Sequence, residues 1–191
     1  MKSREAKRVE KAEQQPQEEG YSDEFYTPER YHSPLGPFAL DSCAGPKRLA
    51  TINFNFAEGQ DGLVLSWREA VQRHYGIPFR EIPLHLILAW VNPPYSLKAE
   101  FLELLARYGH GFALVPNSTE SIWWQRAANQ CTAFCLLKGR VPFIGPDGRE
   151  LKANTKGSTI FAYGQEAADR LKKAVREGKL KGRICPGGPS F

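Results

Sequence analysis

From Tyr21 onward, apolar residues come in short runs separated by Gly, Pro, Asn and Ser, and the runs alternate between two periods. Residues 37–41 read as a short buried strand entering the small-residue loop Ser42-Cys43-Ala44-Gly45-Pro46, and residues 51–56 as a second short strand. Residues 66–75 have helical spacing and stop before Gly76. Residues 83–91 form a near-continuous apolar run, the pattern of a central parallel strand, and end abruptly at Asn92-Pro93-Pro94-Tyr95. Ser96 is placed to cap a helix with Leu97, Phe101, Leu104, Leu105 and Tyr108 on one face and Gly109 just beyond its end.

The alternation continues with strands at 112–115, 131–137 and 158–163 and helices at 121–130 and 165–178; the last carries Ala167, Leu171, Ala174 and Val175 inward and a Lys/Arg-rich outer face. Between them, residues 141–150 contain Gly145-Pro146-Asp147-Gly148, a strong turn signal. The expected fold is therefore α/β, a mostly parallel sheet sandwiched by helices with a late antiparallel hairpin. Ligands of such sheets bind beyond the carboxyl ends of the strands. Asp41 and Asn92 each stand at such an end and can face one crevice.

Residues 1–20 balance five basic against five acidic residues with almost nothing to bury and read as a disordered charged tail, leaving 21–191 as a single domain. No apolar run reaches membrane-spanning length and the N-terminus carries no apolar signal segment, so the expectation is a cytoplasmic protein without membrane contact. Four scattered cysteines without a CxxC pair and four isolated histidines argue against a metal site and suit a reducing compartment. The net charge of +5 is unevenly spread, −2 over residues 1–137 and +7 over 138–191. A basic end suits a polyanion partner and suits a solvated basic helix equally.

The sharpest feature is Asn92-Pro93-Pro94-Tyr95 directly after a buried strand. Chance would produce this tetrapeptide on the order of once per thousand chains of this length. An aromatic amine such as adenine N6 is a poor nucleophile because its lone pair is delocalised into the ring. Two acceptors set against its hydrogens would draw the nitrogen towards a tetrahedral shape and aim that lone pair. The Asn92 side-chain carbonyl supplies one and the Pro93 backbone carbonyl the other. The prolines fix φ and remove N–H groups, so the loop's carbonyls stay presented. Tyr95 offers a flat face for a flipped base. With a sulfonium as leaving group no strong base is needed, and positioning does most of the work.

The chain resembles the phage-type DNA N-6-adenine methyltransferase (Dam-type) family, within the Rossmann-like class I S-adenosylmethionine-dependent methyltransferases. The matching segments are Phe25-Tyr26-Thr27-Pro28, Leu40-Asp41-Ser42-Cys43-Ala44, Asp61-Gly62-Leu63, Trp90 through Ser96, Pro116-Asn117-Ser118-Thr119 with Trp123-Trp124, Gly139 through Gly148, and Gly157 through Phe161, in family order. The resemblance implies a site-specific adenine methyltransferase acting on double-stranded DNA with the target adenine flipped out. It implies that Tyr26, Thr27 and Pro28 hold the methionine end of the cofactor. It further implies that Asp41 with Ser42, Cys43 and Ala44 forms the first cofactor motif, and that Asp61, with Gly62 and Leu63, accepts a hydrogen bond from the cofactor's adenine amine. The chain departs from the family where Asp41-Ser42 replaces the usual Asp-Pro and where residues 66–86 lengthen the path from Asp61 to Asn92.

Lys138, Arg140, Arg149, Lys152 and Lys156 suit either a phosphate-binding hairpin arm, with Phe143 near the displaced base, or solubilising charge on a hairpin. Asn117 follows another strand and suits a pocket edge or a turn, while Trp123 and Trp124 read as core or rim packing. Two other readings stay open on the motif alone. A planar amide needs the same two acceptors, so an RNA base or a protein glutamine is an alternative substrate. A DNA-binding accessory protein that has lost turnover is the other.

Overall fold

The computed structural model describes residues 26–45, 48–55, 58–145, 148–150 and 156–188. The charged segment 1–20, Phe25, Pro146, Asp147 and Lys152 lie outside these residues. A short helix α1 (Glu29–His32) leads into strands β1 (Phe38–Asp41) and β2 (Ala50–Asn53), followed by helix α2 (Trp67–Tyr75). Strand β3 (Ala89–Val91) precedes helix α3 (Lys98–Tyr108), strand β4 (Gly111–Pro116) and helix α4 (Ile122–Gln130). Strands β5 (Ala133–Leu137) and β6 (Ser158–Tyr163), helix α5 (Gln165–Arg176) and strand β7 (Gly182–Pro186) complete the order.

Among the described residues the strands form one seven-stranded sheet in the order β2-β1-β3-β4-β6-β5-β7. The first four are mutually parallel; β6 is antiparallel to both β4 and β5, and β7 is antiparallel to β5. The fold is thus α/β with a mixed, mostly parallel sheet. Both faces are covered. On one, Val91, Ala113, Val115 and Phe161 pack against Trp67 and Val71 of α2, Phe101 and Leu105 of α3 and Trp124 of α4. On the other, Trp90, Phe112, Leu114 and Ile160 pack against Leu35, Phe38 and α5's Ala167, Leu171 and Ala174. Burial from both sides is why β1 reads as apolar without alternation. The helix stops at Gly76 and Gly109 fall where the sequence puts them, each in the left-handed region.

Four expectations are corrected. The apolar run 83–91 is a strand only from Ala89; Pro83 has no N–H for a ladder, and Leu84–Leu86 form a 3-10 turn closed by Leu86 N–H donating to the Pro83 carbonyl at 2.9 Å. Ser96 does not cap α3. It sits inside a second 3-10 turn, Tyr95–Leu97, and Leu97 takes the cap position. The second strand ends at Asn53, with Phe54 buried just past it. Among the described residues of 141–150 no named strand forms: Ile144 bridges singly to Glu150 and to Tyr26, and the late antiparallel strands are β6 and β7. Strand β7 gave little sequence signal because it is a half-exposed edge strand of five residues between Lys181 and Gly187. No helix among the described residues is long and apolar enough to cross a membrane.

Candidate active site

The parallel strands β1, β3 and β4 end along one edge, and the residues singled out from sequence gather there. Asp41 closes β1 in register with Trp90, and the Ser42 N–H donates to the Trp90 carbonyl at 3.3 Å. The loop opened by Asp41 and the corner opened by Asn92 therefore leave the sheet from adjacent positions.

Asp41 is 3% exposed. Its carbonyl accepts from Phe54 N–H at 2.9 Å and its Oδ1 from Cys43 N–H at 3.1 Å. Burial pushes its carboxyl pKa up to about 7, against the opposing pull of the Cys43 N–H. The Cys43 thiol is pushed well above its ordinary range, first by burial and then by the Asp41 and Asp61 carboxylates, so both acids bear on one loop. Asp61 opens the turn that meets this loop. Its Oδ1 accepts from Leu63 N–H at 2.8 Å, and Trp67 Nε1 donates to the Gly62 carbonyl at 2.7 Å, tying the turn to α2. A Cβ on Gly62 would lie 2.1 Å from the Ser42 carbonyl oxygen, so only glycine permits this approach.

The segment 26–28 closes the other side. Tyr26 and Ile144 exchange backbone hydrogen bonds at 2.8 and 2.9 Å. The Tyr26 ring occupies the space where a side chain on Gly45 would stand, with Cε1 2.2 Å from the ideal Cβ. Pro28 leads into α1. Thr27 is buried, and its Oγ1 has no hydrogen-bond partner among the described residues. Tyr26, Thr27, Asp41, Ser42, Cys43, Ala44, Asp61 and Gly62 thus belong to one neighbourhood.

In the Asn92 corner, Asn92, Pro93 and Pro94 are half-buried and Tyr95 is 45% exposed. The Pro94 carbonyl accepts from Leu97 N–H at 3.1 Å, and the Tyr95 carbonyl accepts from Lys98 Nζ at 2.5 Å. No described residue donates to the Pro93 carbonyl, which leaves that oxygen available as an acceptor beside Asn92. Lys98 Nζ stands 4.8 Å from the centre of the Tyr95 ring and 5.3 Å from that of Trp123. One face of Tyr95 is therefore engaged by a cation that also binds Trp123 to the corner. Trp124 is a core residue.

Asn117, one residue past β4, accepts at Oδ1 from Thr159 Oγ1 at 2.5 Å. Lys138 follows β5, where its N–H donates to the Lys181 carbonyl at 2.8 Å, and Arg140, Arg149 and Lys156 are exposed. Phe143 is half-buried against the core under α5, so it is partly committed to packing. The chain from Lys138 to Ile144 returns to Tyr26 along this edge and links the basic segment to the Asp41 neighbourhood. The sequence reading missed Lys181. It adds its charge beside Lys138 only through the β5–β7 pairing, in which Leu137 faces Gly182. The structure does not bring Lys172 and Lys173 into this group; they sit on α5, paired with Asp169 at 3.9 Å and Glu177 at 4.0 Å. Among the described residues no group of three or more His, Cys, Asp or Glu could hold a metal ion. Comparison of the chain with protein-family models, curated proteins and solved structures found no match.

Proposed function

We propose that this chain is a class I-type methyltransferase that transfers the methyl group of S-adenosylmethionine to N6 of adenine in double-stranded DNA. One observation carries the reading: Asp41 and the Asn92-Pro93-Pro94-Tyr95 corner leave neighbouring parallel strands at one sheet edge, in register through Asp41 and Trp90. A donor held at the first and an amine held at the second would lie side by side.

The residues fit the cofactor on two further counts. Thr27 is a buried hydroxyl without a partner among the described residues, and Asp41 a buried carboxylate that a cationic ligand would hold in its charged form. Tyr26, Thr27 and Asp41 would hold the amino-acid end and Asp61 the adenine end, with Ser42, Cys43 and Ala44 supplying a floor of small side chains. When bound, the cofactor supplies an electrophilic methyl group on a sulfonium.

The chain's own contribution is orientation. Asn92 Oδ1 and the Pro93 carbonyl would accept the two amine hydrogens, turning the nitrogen lone pair away from the ring and towards the Asp41 side. The free face of Tyr95 would take the flipped base, its other face being set by Lys98. A nucleic acid is favoured over a protein amide by the basic group of Lys138, Arg140 and Lys181 at the same end of β5, and DNA over RNA by the family resemblance of the sequence.

The test is to incubate the purified protein with methyl-labelled S-adenosylmethionine and double-stranded DNA and digest the product to nucleosides. Label in N6-methyl-2′-deoxyadenosine is the expected result. Label appearing only with RNA or with a glutamine-bearing protein would replace the substrate. Cofactor binding by calorimetry without any transfer would mark the chain as an inactive accessory protein.

A further inference from the structure

Asn117 is fixed by a hydrogen-bond relay that starts in the core. The indole N–H of Trp124, which can only donate, donates to Thr159 Oγ1 at 3.3 Å. That leaves the Thr159 hydroxyl hydrogen for Asn117 Oδ1, at 2.5 Å. Thr159 is completely buried, so no water substitutes for either bond. The relay therefore decides which end of the amide is which: the oxygen is turned to β6 and the NH₂ away from it. A second contact shapes the seat. The Asn117 N–H donates to the Gly157 carbonyl at 2.8 Å, and a Cβ on Gly157 would fall 2.7 Å from Asn117 Nδ2, so the amide occupies room that only glycine leaves. No described residue accepts from Nδ2.

We propose that Asn117 is a specificity-determining residue that donates from Nδ2 to a ring nitrogen of the target adenine, on the edge remote from its amine. This rests on the function proposed above. Val91 pairs with Ala113, so the register carried one residue on sets Asn92 level with Leu114, and Asn117 lies three residues farther, just past the end of β4. At strand rise that is roughly 10 Å, about the span of a purine with a hydrogen bond at each end. The two asparagines then have opposite polarity. Asn92 accepts from the amine, and Asn117 donates to an acceptor across the ring, matching the donor and acceptor edges of adenine. The positioning role belongs to Thr159, which acts only through Asn117.

Asn117→Asp preserves the Thr159 bond and the fit against Gly157 but exchanges the NH₂ donors for an acceptor. On DNA with one target adenine, kcat/KM is expected to fall roughly a hundredfold, with S-adenosylmethionine binding unchanged. Replacing the target by 3-deazaadenine, which loses one ring acceptor, should cost the wild type about tenfold and cost Asn117→Ala nothing further. Thr159→Val, which frees the amide to turn, should lower kcat/KM about tenfold, and Thr159→Ser should restore it. Asn117→Asp acting within twofold of wild type, or a wild type indifferent to 3-deazaadenine, would overturn the proposal. If Asn117→Asp fails to fold, the 3-deazaadenine comparison on wild type decides alone. A wild type inactive on unmodified adenine DNA is a different result: it removes the underlying function, and the proposal with it.

Discussion

Gly62 and the Ser42 carbonyl approach so closely that a single added methyl group would overlap the oxygen, at 2.1 Å. The contact joins the turn opened by Asp61 to the loop opened by Asp41, although twenty residues of sequence separate the two acids. The Ser42 side of this contact is backbone, which cannot swing aside.

Gly62→Ala should therefore push the turn away from the loop. The expected cost is about 1–3 kcal/mol of stability, read as a lowered melting temperature, together with at least a tenfold weaker affinity for S-adenosylmethionine by calorimetry. Destabilisation with affinity within twofold of wild type would separate this turn from the cofactor site.

Asp41 predicts a pH dependence. Its carboxyl holds its proton until about pH 7 in the folded chain but releases it near about pH 4 when unfolded. Between those values the folded state binds more protons, so its contribution to stability falls as pH rises through that window and is level above it. Asp41→Asn should remove this slope in denaturant titrations. A cationic ligand favours the carboxylate, so S-adenosylmethionine should bind more tightly as pH rises from 6 to 8, and Asp41→Asn should bind it weakly at every pH. A cofactor affinity that is flat with pH in the wild type would argue against Asp41 as its partner.

Asn92→Ala leaves β3, its register and both cores intact, because Asn92 lies one residue beyond the strand. Methyl transfer is expected to drop by at least roughly 10²–10³, as for removal of one preorganised polar contact to a reacting group, while cofactor and DNA affinities stay within a few-fold. Single-turnover rates separate the two effects. Undiminished transfer would dismiss the two-acceptor mechanism.

The basic residues sort into two sets with different expected behaviour. Replacing Lys138, Arg140 and Lys181 by Ala should weaken DNA binding for every sequence and reduce the slope of log affinity against log salt by about 2–3. Replacing Lys172, Lys173 and Arg176 should change it less, since Lys172 and Lys173 already face Asp169 and Glu177 on their own helix. The reverse order in a salt titration would move the DNA surface to α5.

Much of the architecture was legible because it depends on local patterning. The helices at Trp67–Tyr75, Lys98–Tyr108, Ile122–Gln130 and Gln165–Arg176 follow from apolar spacing, the first two with stops at Gly76 and Gly109, and β6 has the expected span, Ser158–Tyr163, although it opens with two polar residues. The same patterning misled at residues 83–91. Leu86 and Ile87 are apolar because they pack on the face of the sheet covered by α2, α3 and α4, yet Pro83 bends the chain into a turn there. Apolar character marks burial, and burial alone does not distinguish a strand from a tucked loop.

The sequence by itself determined the chemistry on offer: a proline-locked asparagine corner, acids followed by small residues, and a basic final third. Only the tertiary structure decided which of these meet. Parallel pairing brings Asp41 beside Trp90, the bare Cα of Gly62 admits the Ser42 carbonyl, Tyr26 closes over Gly45, and Lys181 joins Lys138 through an edge strand. These are contacts between segments distant in the chain, and strand order sets them. Hydrophobic periodicity reports which face of an element is buried and carries no information about which neighbour covers it.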